Sequence, residues 1–90
     1  KEALAIGLVN QIAAPDKLME EALAFADRLA QRPPIAVGCV LKAMSTGIYE
    51  GLERGLEVEL EGSRTVRTTE DCQEGFTAFL EKRPPVFKGK

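Results

Sequence analysis

The 90-residue sequence has no His and no Trp, one Tyr, four Phe and two Cys. Without His there is no Ser-His or Cys-His nucleophile pair within these residues. Cys39 and Cys72 have no His with which to share a metal. With no apparent signal segment, they read as reduced, buried small hydrophobes of a cytoplasmic protein. No apolar run approaches the ~18 residues of a membrane span, and Lys1-Glu2-Ala3 opens no signal-peptide h-region. Twelve Lys plus Arg against 14 Asp plus Glu leave a net charge of −2. That balance excludes the strongly basic face usual in nucleic-acid binders. No glycine-rich phosphate loop is present, because the glycines are scattered along the chain.

What is there is a set of helical patterns. Hydrophobic residues make up 44% of the chain, enough for one folded domain and no more. Residues 7–14 favour a strand-like path through Leu8, Val9 and Ile12, but no partner strand is visible. Pro15-Asp16 punctuates, with Asp16 placed to cap. From 17 to 31, Leu18, Ala22, Phe25 and Leu29 recur at helical spacing, flanked by Met19, Leu23, Ala26 and Ala30. Pro33-Pro34 separates this helix from the next, with Pro34 suited to the first helical position. From Ile35 to Met44 the only charge is Lys42. A helix apolar all round is expected to be buried all round, so this is the expected central helix. Gly38 is expected to permit a close crossing, and Thr46-Gly47 to end the helix.

A third helix is expected over 49–66, with Ile48, Leu52, Leu56 and Leu60 on one face and Glu50, Glu53, Glu57 and Glu61 on another. Glu59 falls near the apolar stripe and is expected to face Lys42, or a polar gap shared with it, for structure and not catalysis. Glu57, Glu59 and Glu61 do not converge, because helix residues two apart diverge. The last helix opens near Thr69 or Asp71, and Asp71-x-x-Glu74 has capping-box spacing. Phe76, Phe79 and Leu80 give its apolar side. Arg83-Pro84-Pro85 ends it, leaving 84–90 as a tail. Net charge is −5 over residues 1–80 and +3 over 81–90. The residues alone therefore describe an all-α domain of about four helices with no catalytic apparatus of its own.

Ordered motifs add to this reading. They are Ala3-x-x-x-Gly7-Leu8-Val9-Asn10, Pro33-x-x-Ala36 with Lys42, and Leu52-x-x-x-Leu56-x-x-Glu59. The most specific is Asp71-x-x-Glu74-Gly75-x-x-Ala78-Phe79-x-Glu81-Lys82-Arg83-x-Pro85-x-Phe87-x-Gly89. Together they resemble the closing third of the crotonase superfamily, the enoyl-CoA hydratases and isomerases, over essentially all 90 residues. The resemblance implies the C-terminal helical trimerisation and lid domain of that fold, without the β-β-α spiral core. Residues 1–14 would trail from the core junction. In that family the oxyanion hole and the acid/base glutamates lie on the core, so no catalytic residue and no metal ligand is expected here. No cofactor is implied; a CoA thioester would be the substrate of the whole enzyme. The implied partners are the protein's own N-terminal core and neighbouring subunits of a homotrimer or hexamer. Self-association of the isolated chain follows from its apolar faces. The resemblance carries Phe79 and Lys82 onto the adenine end of CoA. The alternative is a free-standing helical adaptor that binds a partner through an apolar face.

Overall fold

A computed structural model describes all 90 residues as five helices and no strand. They are α1 (Glu2–Ala5), α2 (Leu18–Ala30), α3 (Pro34–Glu50), α4 (Leu52–Arg67) and α5 (Glu70–Glu81). Contacts divide the chain into two compact units, residues 1–30 and 31–90.

In the first unit, the stretch expected to run strand-like is a turn followed by irregular backbone. The Leu8 and Val9 amides both donate to the Ala3 carbonyl, at 2.8 and 3.3 Å. This curls the chain back on the single turn of α1, and no neighbouring strand competes for those donors. Helix α2 matches the expected period closely. Glu20 and Glu21 sit in its first turn and Arg28 in its last, each answering the helix dipole. The Arg28 guanidinium also lies 5.2 Å from the centre of the Phe25 ring, a cation–π contact. Gln11 Nε2 donates to Glu21 at 2.6 Å, fixing the irregular segment to α2.

The second unit is built on the antiparallel pair α3–α4. Helix α3 does not stop at Thr46-Gly47. It runs on to Glu50 and ends at Gly51, whose φ of +99° suits glycine and strains any other residue. Ile48 therefore belongs to α3, and α4 begins one residue after the link. Gly47 has a different task. A Cβ placed on Gly55 of α4 would lie 2.7 Å from the Gly47 Cα and 3.3 Å from the Ala43 carbonyl oxygen. Near the far end of the pair, a Cβ on Gly62 would lie 2.9 Å from the Cβ of Cys39. The close approach thus falls on Gly47–Gly55 and Cys39–Gly62. Gly38, expected to be the crossing point, has open space beside it.

The face of α4 turned to α3 carries Gly55, Val58 and Gly62, spaced i, i+3, i+7. Gly55 and Val58 are buried. The leucine stripe Leu52, Leu56 and Leu60 lies about a third of a turn away and is exposed. Helix α3 is not enclosed either. None of its residues is buried, and Val40, Leu41, Met44 and Ile48 are all exposed. Its sequence is apolar all round, but within residues 31–90 only α4 makes extensive contact with it. The buried apolar side chains of the chain reduce to Val58 at 5% and Ala78 at 1% exposure. No helix is long and apolar enough to cross a membrane.

Lys42 and Glu59 do not pair. Both are exposed and neither takes part in an ion pair. Glu59 instead borders an open cavity of about 440 Å³ between α3 and α4, lined among others by Val40, Met44, Ile48, Leu52 and Leu56. A carboxylate at such a rim keeps its hydration and needs no buried partner. Cys39 and Cys72 are half-buried free thiols.

Candidate functional site

Helix α5 opens on Thr69, whose hydroxyl accepts the Cys72 amide at 3.1 Å. That is the side-chain cap expected of threonine at this position. Asp71 and Glu74 do not form a capping box. Both carboxylates point to the chain's last residues, which fold back along the helix.

Asp71 is buried, at 4% exposure, yet fully partnered. Its Oδ1 accepts the Lys88 amide at 2.6 Å and its Oδ2 the Gly89 amide at 2.8 Å. Its own amide donates to the Lys90 carbonyl at 3.0 Å. A buried carboxylate is tolerated because its two oxygens meet donors. Glu74 accepts from both terminal guanidinium nitrogens of Arg83, Nη1 at 2.6 Å and Nη2 at 2.9 Å, and from the Val86 amide at 2.8 Å. The Arg83 fork and the Val86 amide hold the Glu74 carboxyl at a pKa of about 2, well below its ordinary value. Glu74 and Glu81 together push the Arg83 guanidinium further up. The tail, residues 84–90, is therefore an anchored strap. Its anchors are carboxylates that local spacing alone assigns to a helix cap. The one part of this anchoring that the sequence carries is the opposite charge of Glu74 and Arg83, since the other donors are backbone amides.

Phe79 and Lys82 lie at the other end of α5. Phe79 is 81% exposed, and Phe76 and Leu80 are also open, so the apolar side expected of α5 faces outward. The buried face is the Asp71–Ala78 side instead. Lys82 follows the last helical residue with φ +55° and ψ +39°, the left-handed region. Its amide donates to the Phe79 carbonyl at 3.3 Å, and the Arg83 amide donates to the Ala78 carbonyl at 3.0 Å. This is the pair of bonds that closes a helix in a Schellman motif. The Lys82 ammonium is in no ion pair, whereas Arg83 and Lys90 are both matched to carboxylates. The corner thus presents an exposed ring and an unneutralised cation three residues apart. Such a pair can flank a flat base and meet an anionic group. No acid–base pair and no nucleophile accompanies them.

Residues 1–90 match the family model for enoyl-CoA hydratase/isomerase along their whole length. The chain is 35% identical over 89 residues to the crotonyl-CoA hydratase of Syntrophomonas wolfei. It is 34% identical over 90 residues to the 2,3-dehydroadipyl-CoA hydratase of Escherichia coli. These alignments take in 99% and 100% of the chain but 34% and 35% of those proteins. The crystal structure of enoyl-CoA hydratase from Bacillus anthracis superposes with a TM-score of 0.90 at 39% identity, over 99% of this chain and 34% of that one.

The chain belongs to the enoyl-CoA hydratase/isomerase family, within the crotonase superfamily. It is the all-α, C-terminal helical part of that fold, and it spans about a third of the length of the relatives it matches.

Proposed function

We propose that these residues form the oligomerisation and lid domain of an enzyme acting on acyl-CoA thioesters, and that they are inert without the core. One observation carries the reading: the α3–α4 pair leaves its apolar faces uncovered. Ile48 and Leu52, at 75% and 74% exposure, flank the one-residue link, and Met44 and Leu56 continue the patch. A contiguous apolar surface of this kind marks a contact with other protein. The spiral core and neighbouring subunits are the occupants that the family offers. The second half of the proposal is chemical. Enolate stabilisation needs paired donors aimed at the thioester oxygen, and losing one such donor costs ~100–1,000-fold in rate.

The test uses the purified 90-residue chain. Crotonyl-CoA should be hydrated no faster than in buffer, and light scattering at ~100 µM, far above the ~µM range of modest interfaces, should show self-association. Turnover that survives repurification would overturn the inert reading. A strictly monomeric mass would overturn the assignment of the apolar faces.

Phe79 and Lys82 supply the one ligand contact of the domain in this reading, with the ring beside the adenine of CoA and the ammonium on one of its phosphates. The exposure of Phe79 and the unpaired state of Lys82 support it. In the complete enzyme, Lys82→Ala should raise KM for CoA thioesters much more than it lowers kcat, because the contact is remote from the reacting carbon.

A further inference from the structure

Lys82 is the only non-glycine residue of the chain in the left-handed region. Glycine usually occupies this place in a Schellman motif, because a Cβ there crowds the backbone. An observed outlier of this kind is a starting point for a functional hypothesis. Here the surrounding restraints are unusually dense. The residue after Lys82 is gripped on two sides, Arg83 Nη1 and Nη2 by Glu74 and Nε by Glu81 at 2.6 Å. Three residues further on, the Val86 amide is held by the same Glu74 carboxylate. Beyond that, Lys88 and Gly89 are tied to buried Asp71. The turn at Lys82 therefore has the helix on one side and an anchored strap on the other.

The same contacts sort the charges. The Arg83 guanidinium, next to Lys82 in sequence, is occupied by two carboxylates. Lys82 is left as the cation of that turn able to meet an incoming anion. Of the two adjacent cations, Arg83 is matched to Glu74 and Glu81 and Lys82 is not matched to any carboxylate.

We propose that Glu74 is a positioning residue for Lys82: by holding Arg83 and the strap, it fixes the left-handed turn from which the Lys82 ammonium meets a phosphate of the acyl-CoA. This rests on the reading of Lys82 given above and extends it to a residue that does not touch the ligand. A merely structural Glu74 would stabilise the strap with no preference for Lys82.

The two roles separate in a double-mutant cycle on the complete enzyme, with coenzyme A as the probe and its Kd measured by calorimetry. Glu74→Gln should weaken coenzyme A binding by ~3–5-fold, a coupling of the size found between contacting groups. The same change should add nothing once Lys82→Ala is present. Glu74→Asp, which keeps the charge opposite Arg83, should restore Kd to within ~2-fold of the parent. Should Glu74→Gln not yield folded enzyme, Arg83→Lys replaces it: it keeps the cation and loses the fork. It must show the same dependence on Lys82. If Lys82→Ala leaves Kd unchanged, the coenzyme reading itself falls, and this proposal with it. If Lys82→Ala weakens binding but Glu74→Gln does not, or weakens it equally with and without the lysine, the positioning role alone is overturned.

Discussion

The α3–α4 pair and the α5–strap assembly are held together by opposite means. In the first, two helices touch through glycine, with Gly55 against Gly47 and Gly62 against Cys39, and almost no polar side chain takes part. In the second, a helix and an extended segment are joined by carboxylates that accept five donors. The first depends on the absence of side-chain atoms, the second on their exact chemistry. The contrast follows from what each must cover. Close backbone approach brings α3 and α4 together while turning their large apolar side chains outward. The strap has no regular partner for its amides, so the acids of α5 serve as acceptors.

The glycine contacts of α3–α4 are the more sensitive of the two to substitution. Gly55→Val should destabilise the second unit by about 3 kcal/mol, since overpacking against backbone cannot be relieved by a rotamer change. Chemical denaturation would measure it. A loss below about 1 kcal/mol, the scale of a simple helix-propensity change, would mean that the helices do not meet at Gly47. The polar end is tested by acid. Glu74 has its carboxyl pKa lowered from the ordinary 4.5 to about 2 by Arg83 and Val86. The stabilisation from this tie is therefore complete above about 4.5 and is lost as pH falls toward about 2. A carboxyl NMR titration of Glu74 should show its midpoint near 2, with the Val86 amide shifting alongside it and the α3–α4 amides unmoved. A midpoint near 4.5 would detach Glu74 from the strap. The smallest expected effect sharpens the account of the helix end. Lys82→Gly should stabilise the fold by about 0.5–1 kcal/mol by relieving the left-handed turn. A lower melting temperature would show that Lys82 is not strained there.

The helices were legible where a period stands alone. Leu18, Ala22, Phe25 and Leu29 mark α2 to within a residue at each end, and Thr69 marks the start of α5. Boundaries failed where glycine has two meanings. Gly47 reads as a stop because glycine ends helices, but inside α3 it is the surface that Gly55 rests on. Burial failed for another reason. The all-round apolar composition of α3 says only that its surface favours contact, and here α4 covers one side of it. Along α4 the leucines outweigh Gly55, Val58 and Gly62 in hydrophobicity, so pattern reading picks the leucine stripe. The helix pair selects the smaller residues because they let the backbones close. At the candidate site, Phe79 and Lys82 were singled out by resemblance, and both are exposed. The roles of Asp71 and Glu74 were hidden because their partners are mostly backbone amides 12 to 18 positions away, and amides carry no sequence signature.

Gly51 has a consequence for the order of folding. With a single residue between α3 and α4, contacts on the two helices mirror each other about one point, 47 with 55 and 39 with 62. Closure of so short a loop is among the fastest events open to a chain, and contacts can then propagate outward from it like a zip. The pairing phase is set at that link as well. One extra residue in the first turn of α4 would rotate the rest of that helix by about 100°, carrying Gly55 away from Gly47.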